Sequence, residues 1–95
     1  SMLKITRNFG QAFFVGDICI RVESANSGKI HLLIDDKGAV VEIGKSINIS
    51  DSVKLILNKN SSAQVRIKIF APRSVKIARE EIARFGDDGL LVGLK

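Results

Sequence analysis

The sequence predicts an all-β fold, an antiparallel barrel or sandwich with a short C-terminal helix. Short runs of alternating apolar and polar residues are separated by residues that favour turns, which is typical of antiparallel all-β domains. The period changes to that of a helix over Ala78 to Phe85, and Gly86 follows as a natural helix stop. The chain has 95 residues, 45% of them hydrophobic, which is enough for one folded domain but not for two.

The first strands follow from this alternation. In the N-terminal strand, Leu3, Ile5 and Arg7 share one face, and Met2, Lys4 and Thr6 share the other. Turn residues then stand at Gly10, Gly16-Asp17, Asn26-Ser27-Gly28 and Asp35 to Gly38. The strands predicted between and after them are Gln11 to Val15, Ile18 to Glu23, Lys29 to Ile34 and Ala39 to Ile43.

The second half of the chain repeats much of the first. Asn8 to Asp17 aligns with Glu42 to Asp51, and Gly10 falls on Gly44. After one further residue, Ile18 to Ile34 aligns with Val53 to Ile69. Any two β-meanders of similar length align passably, but here the turn residues match as well as the strands. The sequence therefore favours a partial duplication within one domain, residues 1–95, with copies at 2–38 and 39–86 and a tail at 87–95.

The stretch APRSVKIAREEI, Ala71 to Ile82, predicts a loop, a strand and the start of the helix. Pro72 is the only proline, and its fixed φ and missing N–H suit a loop or the first residue of a strand. Glu80 and Glu81 stand in the first helical turn, where carboxylates are favourable. Arg79 thus lies at the corner between strand and helix, where its guanidinium is expected to be free of both.

Composition points to a polyanionic partner. Fifteen basic and ten acidic residues give a net charge of +5, which favours binding to nucleic acid, although the same charge also serves solubility. Lysine and arginine contacts to phosphate would make such binding sensitive to salt.

No enzyme, metal or cofactor site is predicted. The single cysteine, Cys19, makes no disulfide within the chain and is typical of a reducing cytoplasm. His31 lies on the outward face of a hairpin, and the Asp35-Asp36 and Asp87-Asp88 pairs have the character of turn acids. Phosphate-binding loops and Cys/His metal spacings are absent from the sequence, as are signal peptides and membrane-spanning apolar runs.

Two stretches together resemble the carbon storage regulator family (CsrA/RsmA). Met2 to Asp17, MLKITRNFGQAFFVGD, is similar to the family's first two strands, and Ser52 to Ile82 is similar to the remainder. The ending APR…V.IAREEI is the most specific part. Family members are small RNA-binding regulators of translation and messenger stability that recognise GGA triplets in hairpin loops. About thirty-four residues between the two stretches have no counterpart in the ordinary family member.

The resemblance implies an RNA site in which the two ends of the chain meet. It places Ile5 and Arg7 of the first strand and Ile77 and Arg79 of the last strand along the RNA-facing edge. The further residues that it implies are Ala71, Pro72 and Arg73 in the loop, Gln64 and Arg66 in a hairpin and, more weakly, Lys4. No catalytic residue and no metal ligand is implied.

Family members of the usual length form intertwined homodimers with two RNA sites. A tandem chain is therefore expected to be a monomeric pseudo-dimer, with an ordinary homodimer as the alternative. Only one site is expected per chain, because Arg7 aligns with Val41, Asn8 with Glu42 and Arg79 with Gly44.

The sequence also departs from the family pattern. Asn8, Ala78 and Lys68 replace an arginine, a histidine and a glycine that the family usually has. A second function therefore stays open, that of a degenerate relative that binds a partner protein, such as an antagonist, rather than RNA. The expected setting in either case is the cytoplasm, without membrane contact.

Overall fold

The computed structural model describes residues 1–92, which form nine β-strands and one 3₁₀ turn. The strands are β1 (Met2–Asn8), β2 (Ala12–Val15), β3 (Ile18–Asn26), β4 (Lys29–Ile34), β5 (Lys37–Glu42), β6 (Ser46–Asn48), β7 (Lys54–Lys59), β8 (Gln64–Phe70) and β9 (Ile77–Arg79). The 3₁₀ turn, Glu80–Ile82, follows β9 directly. The fold is thus nearly all β, as the sequence predicts. Within residues 1–92, no helix is long and apolar enough to cross a membrane.

The strands form two antiparallel sheets. One is a four-stranded sheet in the order β1-β8-β7-β6, and the other is a five-stranded sheet in the order β5-β4-β3-β2-β9. The inward residues of both sheets alternate with outward polar ones and meet in a single core. Its largest fully buried side chains are Phe13, Ile20, Ile30, Leu32, Leu55, Leu57, Ile67 and Ile69.

The terminal strands are exchanged between the two halves of the chain. β1, from the first half, pairs with β8 of the second half, with Leu3 opposite Ile69. β9, from the second half, pairs with β2 of the first half, with Phe14 opposite Ala78. Each sheet is therefore completed by a strand from the other half of the chain.

The two sheets pair their strands in the register that the sequence repeat predicts. Phe13 opposite Ile20 in the five-stranded sheet corresponds to Ile47 opposite Leu55 in the four-stranded sheet. The pairing of β4 with β5 likewise corresponds to that of β8 with β1. A bulge between Val22 and Ser24 is the main difference in β3. This agreement supports an internal repeat, although common descent of the two halves stays a prediction.

The turn before β2 and the turn before β6 are also alike. The N–H of Gly10 donates to the carbonyl oxygen of Val22 at 2.7 Å, and the N–H of Gly44 donates to that of Leu57 at 2.9 Å. Both glycines have positive φ, 94° and 83°, a region in which side chains are strained. The match of Gly10 with Gly44 thus has a conformational reason.

Two predicted elements differ from the structure. The helix expected over Ala78 to Phe85 reduces to the single turn Glu80–Ile82, because Ala78 lies in β9 and Ala83 is already extended at ψ 138°. The turn expected over Asp35 to Gly38 contains only Asp35 and Asp36, and β5 begins at Lys37. Both aspartates have positive φ, 48° and 67°, as a two-residue hairpin turn requires.

Candidate nucleic-acid interface

A buried arginine ties the two ends of the chain together. Arg7 points inward from β1, and its side chain is only 4% exposed. Its Nη1 and Nη2 donate to Oε1 and Oε2 of Glu81 at 2.7 and 2.6 Å, and Nη1 also donates to the carbonyl oxygen of Ala12 at 2.8 Å. Such a two-pronged pair is strong and directional. The hydrogen bonds from Arg7 lower the pKa of the Glu81 carboxyl to about 2.

Glu80, beside it, fastens the same turn to β2 and β3. Its Oε2 accepts the backbone N–H of Ala12 at 2.9 Å, and its carboxylate contacts the guanidinium of Arg21 at 3.2 and 3.3 Å. The bond from Ala12, followed by that from Arg21, lowers the pKa of Glu80. Arg21 in turn donates to the carbonyl oxygen of Gly10 at 2.7 Å. We call Arg7, Arg21, Glu80 and Glu81 the terminal clamp.

The start of β1, the loop after β8 and the start of β9 enclose an open cleft of about 300 Å³. We call it the terminal cleft. Its lining residues are Ser1, Met2 and Leu3 at the start of the chain, Ile69 of β8, Ala71, Pro72, Arg73 and Val75 of the following loop, and Ile77 of β9. The N–H of Ala71 donates to the carbonyl oxygen of Ser1 at 3.1 Å, which fixes the loop to the N-terminal strand.

β1 and β9 lie at the edges of different sheets and are not hydrogen-bonded to each other. The two strands instead approach each other at the terminal cleft, which Met2 and Leu3 of β1 and Ile77 of β9 all line. Each has a strand on one side only among residues 1–92, and a strand edge of this kind offers N–H and C=O groups to a ligand. Exposed bases of an RNA loop present the matching donors and acceptors.

The structure divides the predicted site residues into three groups. Ile5, Arg7 and Ala71 are buried, at 6%, 4% and 8% exposure. Pro72 and Arg73 are exposed, and Ile77 and Arg79 are half-buried, and these four lie at the terminal cleft or at the end of β9. Lys4, Gln64 and Arg66 lie apart from the terminal cleft, on the outward face of the four-stranded sheet.

The buried residues of the first group have a structural role. The side chain of Ile5 belongs to the hydrophobic core, and the guanidinium of Arg7 is occupied by Glu81. Arg79, by contrast, ends β9 at φ −61° and ψ 145°, at the strand-to-turn corner that the sequence indicates. Among residues 1–92, the ion pairs are Arg7–Glu81 and Arg21–Glu80, so Arg73 and Arg79 have no carboxylate within ion-pair distance.

The matching edge in the second half of the chain is different. Within the described residues, β6 has no strand on the side where β2 carries β9. The counterpart of Arg7 is Val41, at 6% exposure, and that of Arg21 is Ile56. Val40 beside it is 53% exposed, and Glu42 adds a negative charge. Three cations of the first edge, Arg7, Arg21 and Arg79, thus have no basic counterpart here.

Nucleophilic and metal-binding groups are poorly placed in the described part of the chain. Burial raises the pKa of the Cys19 thiol, which lowers its reactivity at neutral pH. His31 lies opposite Val40 in the β4–β5 hairpin. Residues 1–92 contain no group of three or more His, Cys, Asp or Glu side chains that could hold a metal ion.

Sequence reasoning missed the terminal clamp. It assigned Glu80 and Glu81 to a helix N-terminus, whereas both carboxylates accept hydrogen bonds from β1, β2 and β3. One signal was available: Arg7 shares the inward face of its strand with Ile5, and a buried arginine needs an acidic partner. The partner lies 74 positions away, beyond the reach of a local pattern.

Much of this geometry lies in a segment that matches a known protein family. The model of the CsrA family, described as a global regulator protein family, matches residues 42–85. This part of the chain is similar to the carbon storage regulator family. CsrA-family proteins are RNA-binding regulators that act after transcription and form dimers, which fits RNA as the general kind of partner. No solved structure matched the chain.

The matched segment covers just under half of the chain and includes one flank of the terminal cleft. It runs from the end of β5 through β9 and Glu81. β1 lies outside the match, yet it pairs with β8 inside it. The CsrA-like segment of this chain is therefore completed by the chain's own N-terminal strand.

Proposed function

We propose that this protein is a cytoplasmic post-transcriptional regulator that binds a GGA-containing RNA hairpin loop at the terminal cleft. The observation that carries the proposal is the meeting of β1, β9 and the Ala71-to-Lys76 loop around one open cleft, with Arg73 in its lining and Arg79 two residues beyond the lining residue Ile77, at the end of β9. The match of residues 42–85 to the CsrA family supports RNA as the ligand.

The contacting groups follow from exposure. Arg73, at the mouth of the terminal cleft, and Arg79, at the corner of β9, supply charge-assisted contacts to phosphate or base edges. The half-buried Ile77 offers an apolar surface to a base. Backbone groups along the unpaired edges of β1 and β9 read the Watson–Crick edges of loop bases.

The buried residues act by positioning. Arg7 holds Glu81, and through it the turn that sets the direction of Arg79. Ile5 fixes β1 against the core, so that the outer edge of this strand faces the ligand. In this scheme the guanidinium of Arg7 does not contact RNA.

A single site per chain follows from the unequal edges. In the second half of the chain, Val41 of β5 and Ile56 of β7 stand where the first half has Arg7 and Arg21, and no strand corresponds to β9 among residues 1–92. A phosphate-binding surface is not supported there. The exchange of β1 and β9 within one chain also supports a monomeric pseudo-dimer, with both halves of the family's dimer in one polypeptide.

One titration tests the site and its number. Light scattering on the purified protein is expected to give the mass of one 10.4 kDa chain, and titration with a GGA hairpin is expected to saturate at one RNA per chain. Replacement Arg79→Ala should weaken binding by about 1.5–3 kcal/mol, the value of one hydrogen bond to a charged group. Lys37→Ala is the matched control, because Lys37 lies in β5 at the opposite edge of the five-stranded sheet.

Several results would count against the proposal. Equal binding by the wild type and Arg79→Ala at moderate salt would mean that the site is wrongly assigned. Two RNAs per chain would contradict the unequal edges, and a stable homodimer would contradict the pseudo-dimer. Failure of the wild type to bind the hairpin at all would favour the protein-binding alternative.

A further inference from the structure

The outward face of the four-stranded sheet is basic. Lys4 of β1, Lys54 of β7, and Arg66 and Lys68 of β8 alternate with inward core residues and therefore point outward. We call these four residues, with Phe70, the basic face. Lys4, Lys54 and Arg66 are exposed and Lys68 is half-buried. The four strands contain no aspartate or glutamate.

The charges on this face are not neutralised by neighbours across the strands. Lys4 stands directly opposite Lys68, and Thr6 stands opposite Arg66. Like charges in directly opposite positions destabilise a sheet. A pair such as Lys4 and Lys68 is therefore unfavourable for folding alone and becomes favourable when an anion lies over both ammonium groups.

The other sheet shows that the fold does not require these charges. By the register of the two sheets, Lys4, Lys68, Lys54 and Arg66 correspond to Gly38, Leu33, Cys19 and His31 of the five-stranded sheet. The same strand framework thus carries a largely neutral outward surface in one half and a basic one in the other. Strand geometry does not explain the difference.

An aromatic ring lies among the cations. Phe70 is half-buried at the end of β8, opposite Met2 of β1 and Lys54 of β7. The Lys54 Nζ lies 5.1 Å from the centre of the Phe70 ring, which keeps the ammonium beside the ring. Aromatic faces flanked by cations suit single-stranded nucleic acid, because a base stacks on the ring while its phosphates meet the charges.

We propose that the basic face is a second nucleic-acid surface, which binds the backbone of single-stranded RNA without sequence preference. Lys4, Lys54, Lys68 and Arg66 contact phosphates, and Phe70 offers a stacking surface to one base. Lys4 belongs to β1, the strand that also forms the terminal cleft, so an RNA held at the cleft can continue across the sheet. The basic face does not depend on GGA recognition for its own binding.

The test uses the full chain and two RNAs. The first is an oligouridine of about 20 nucleotides, longer than the site of a typical single-strand binding domain, and the second is the GGA hairpin without flanking nucleotides. The variant is Lys54→Gln with Lys68→Gln. The matched control, Lys29→Gln with Lys37→Gln, removes the same charge from β4 and β5 of the other sheet. Thermal melting checks that all variants remain folded.

Oligouridine affinity is expected to fall roughly tenfold in the Lys54/Lys68 variant at about 0.1 M salt, and to change little in the control. The slope of log affinity against log salt should shrink by about 1.4, or about 0.7 for each phosphate of the single strand that the variant no longer neutralises. Melting should not worsen, because Lys68→Gln removes the repulsion with Lys4.

The possible results separate this inference from the proposed function. Unchanged oligouridine binding in the Lys54/Lys68 variant, an equal loss in the control, or binding of heparin without oligouridine would each overturn the inference. The terminal cleft is tested separately, by comparing the affinity of the GGA hairpin for the wild type and for Arg79→Ala. Loss of oligouridine binding in the lysine variant, together with no preference for GGA in the wild type, would support the basic face and contradict the cleft.

Discussion

The two halves of the chain use the same strands and turns but finish their edges differently. In the first half, β9 and the terminal clamp cover the edge of β2, and Glu80 accepts the N–H of Ala12. In the second half, β6 pairs with β7 on one side and has no strand on its other side among residues 1–92. The turn into each strand is nevertheless the same, through Gly10 and Gly44.

This difference separates the residues that form the shared strand framework from those that hold β9 against β2. The repeated core residues and glycine turns support a sheet in either half. Among residues 1–92, the added strand β9 occurs where Arg7 and Arg21 meet Glu80 and Glu81. A change of Arg7 and Arg21 to Val41 and Ile56 at the equivalent positions removes the means of holding such a strand. The two edges thus differ on a nearly symmetric scaffold.

The largest expected effect comes from breaking the terminal clamp. Arg7→Leu leaves the buried carbonyl of Ala12 without its donor and separates β1 from the turn after β9. We expect the free energy of unfolding to fall by about 2 kcal/mol, as for the removal of a hydrogen bond to a charged group. Arg73→Leu is the control: its side chain is exposed, so we expect a change within about 0.5 kcal/mol. Equal stability of the two variants in urea would contradict the role of the clamp.

Acid should act on the clamped half in particular. The pKa of Glu81 is lowered to about 2 and that of Glu80 is also lowered from the ordinary 4.5. Since the unfolded chain then binds more protons, the stabilisation is complete above pH 4.5 and is lost as pH falls towards about 2. Denaturant titrations over this interval should show a decline that is shallower in Glu80→Gln with Glu81→Gln. An equally steep decline in that variant would assign the acid sensitivity to other carboxylates.

The smallest expected effect tests whether the turns at Gly10 and Gly44 are equivalent. Gly10→Ala and Gly44→Ala each place a side chain at a φ near +90°, so each should cost about 1 kcal/mol. Gly38→Ala is the control, because Gly38 lies in β5 without positive φ and with no atom near its Cβ position. Thermal melting should show similar losses of stability for the first two and none for the third. Clearly unequal losses would mean that the two turns are not equivalent.

Local patterns predicted much of the fold. Period-two alternation located the strands, and glycine or asparagine marked the hairpin at Ser27 and Gly28, both of which have positive φ. The repeat alignment placed inward residues of one half on inward residues of the other, and the cross-strand pairs of the two sheets follow the same correspondence. These features depend on neighbours in the sequence, which is why they were readable.

The helix prediction failed because tertiary contacts outweighed propensity. Three-residue turns are short enough to be decided by their partners, and here Glu80 and Glu81 are drawn towards Arg21 and Arg7. Beyond them, Phe85 pairs with Leu91 and packs edge-on against Phe14 at 4.9 Å. Phe85, which the helical pattern placed on the apolar side of a helix, thus covers Phe14 of β2 from an extended segment.

For the candidate site, the sequence predicted well which segments meet. It predicted less well which side chains are accessible to a ligand. It brought both chain ends to one place, but it assigned Arg7 to the ligand, whereas that guanidinium is buried against Glu81. Exposure of a side chain depends on the opposite sheet. The alternation of a single strand does not contain this information.

The strand exchange has a consequence for how the molecule assembles. β1 finds its partner only in β8, more than fifty residues later, and β9 must return to β2. Pairings of such high sequence separation slow folding, since a long loop has to close before they form. A chain emerging from the ribosome therefore cannot complete the sheet of its first half before its second half has been made. Until β8 and β9 have been made, β1 has no partner strand and β2 has one unpaired edge.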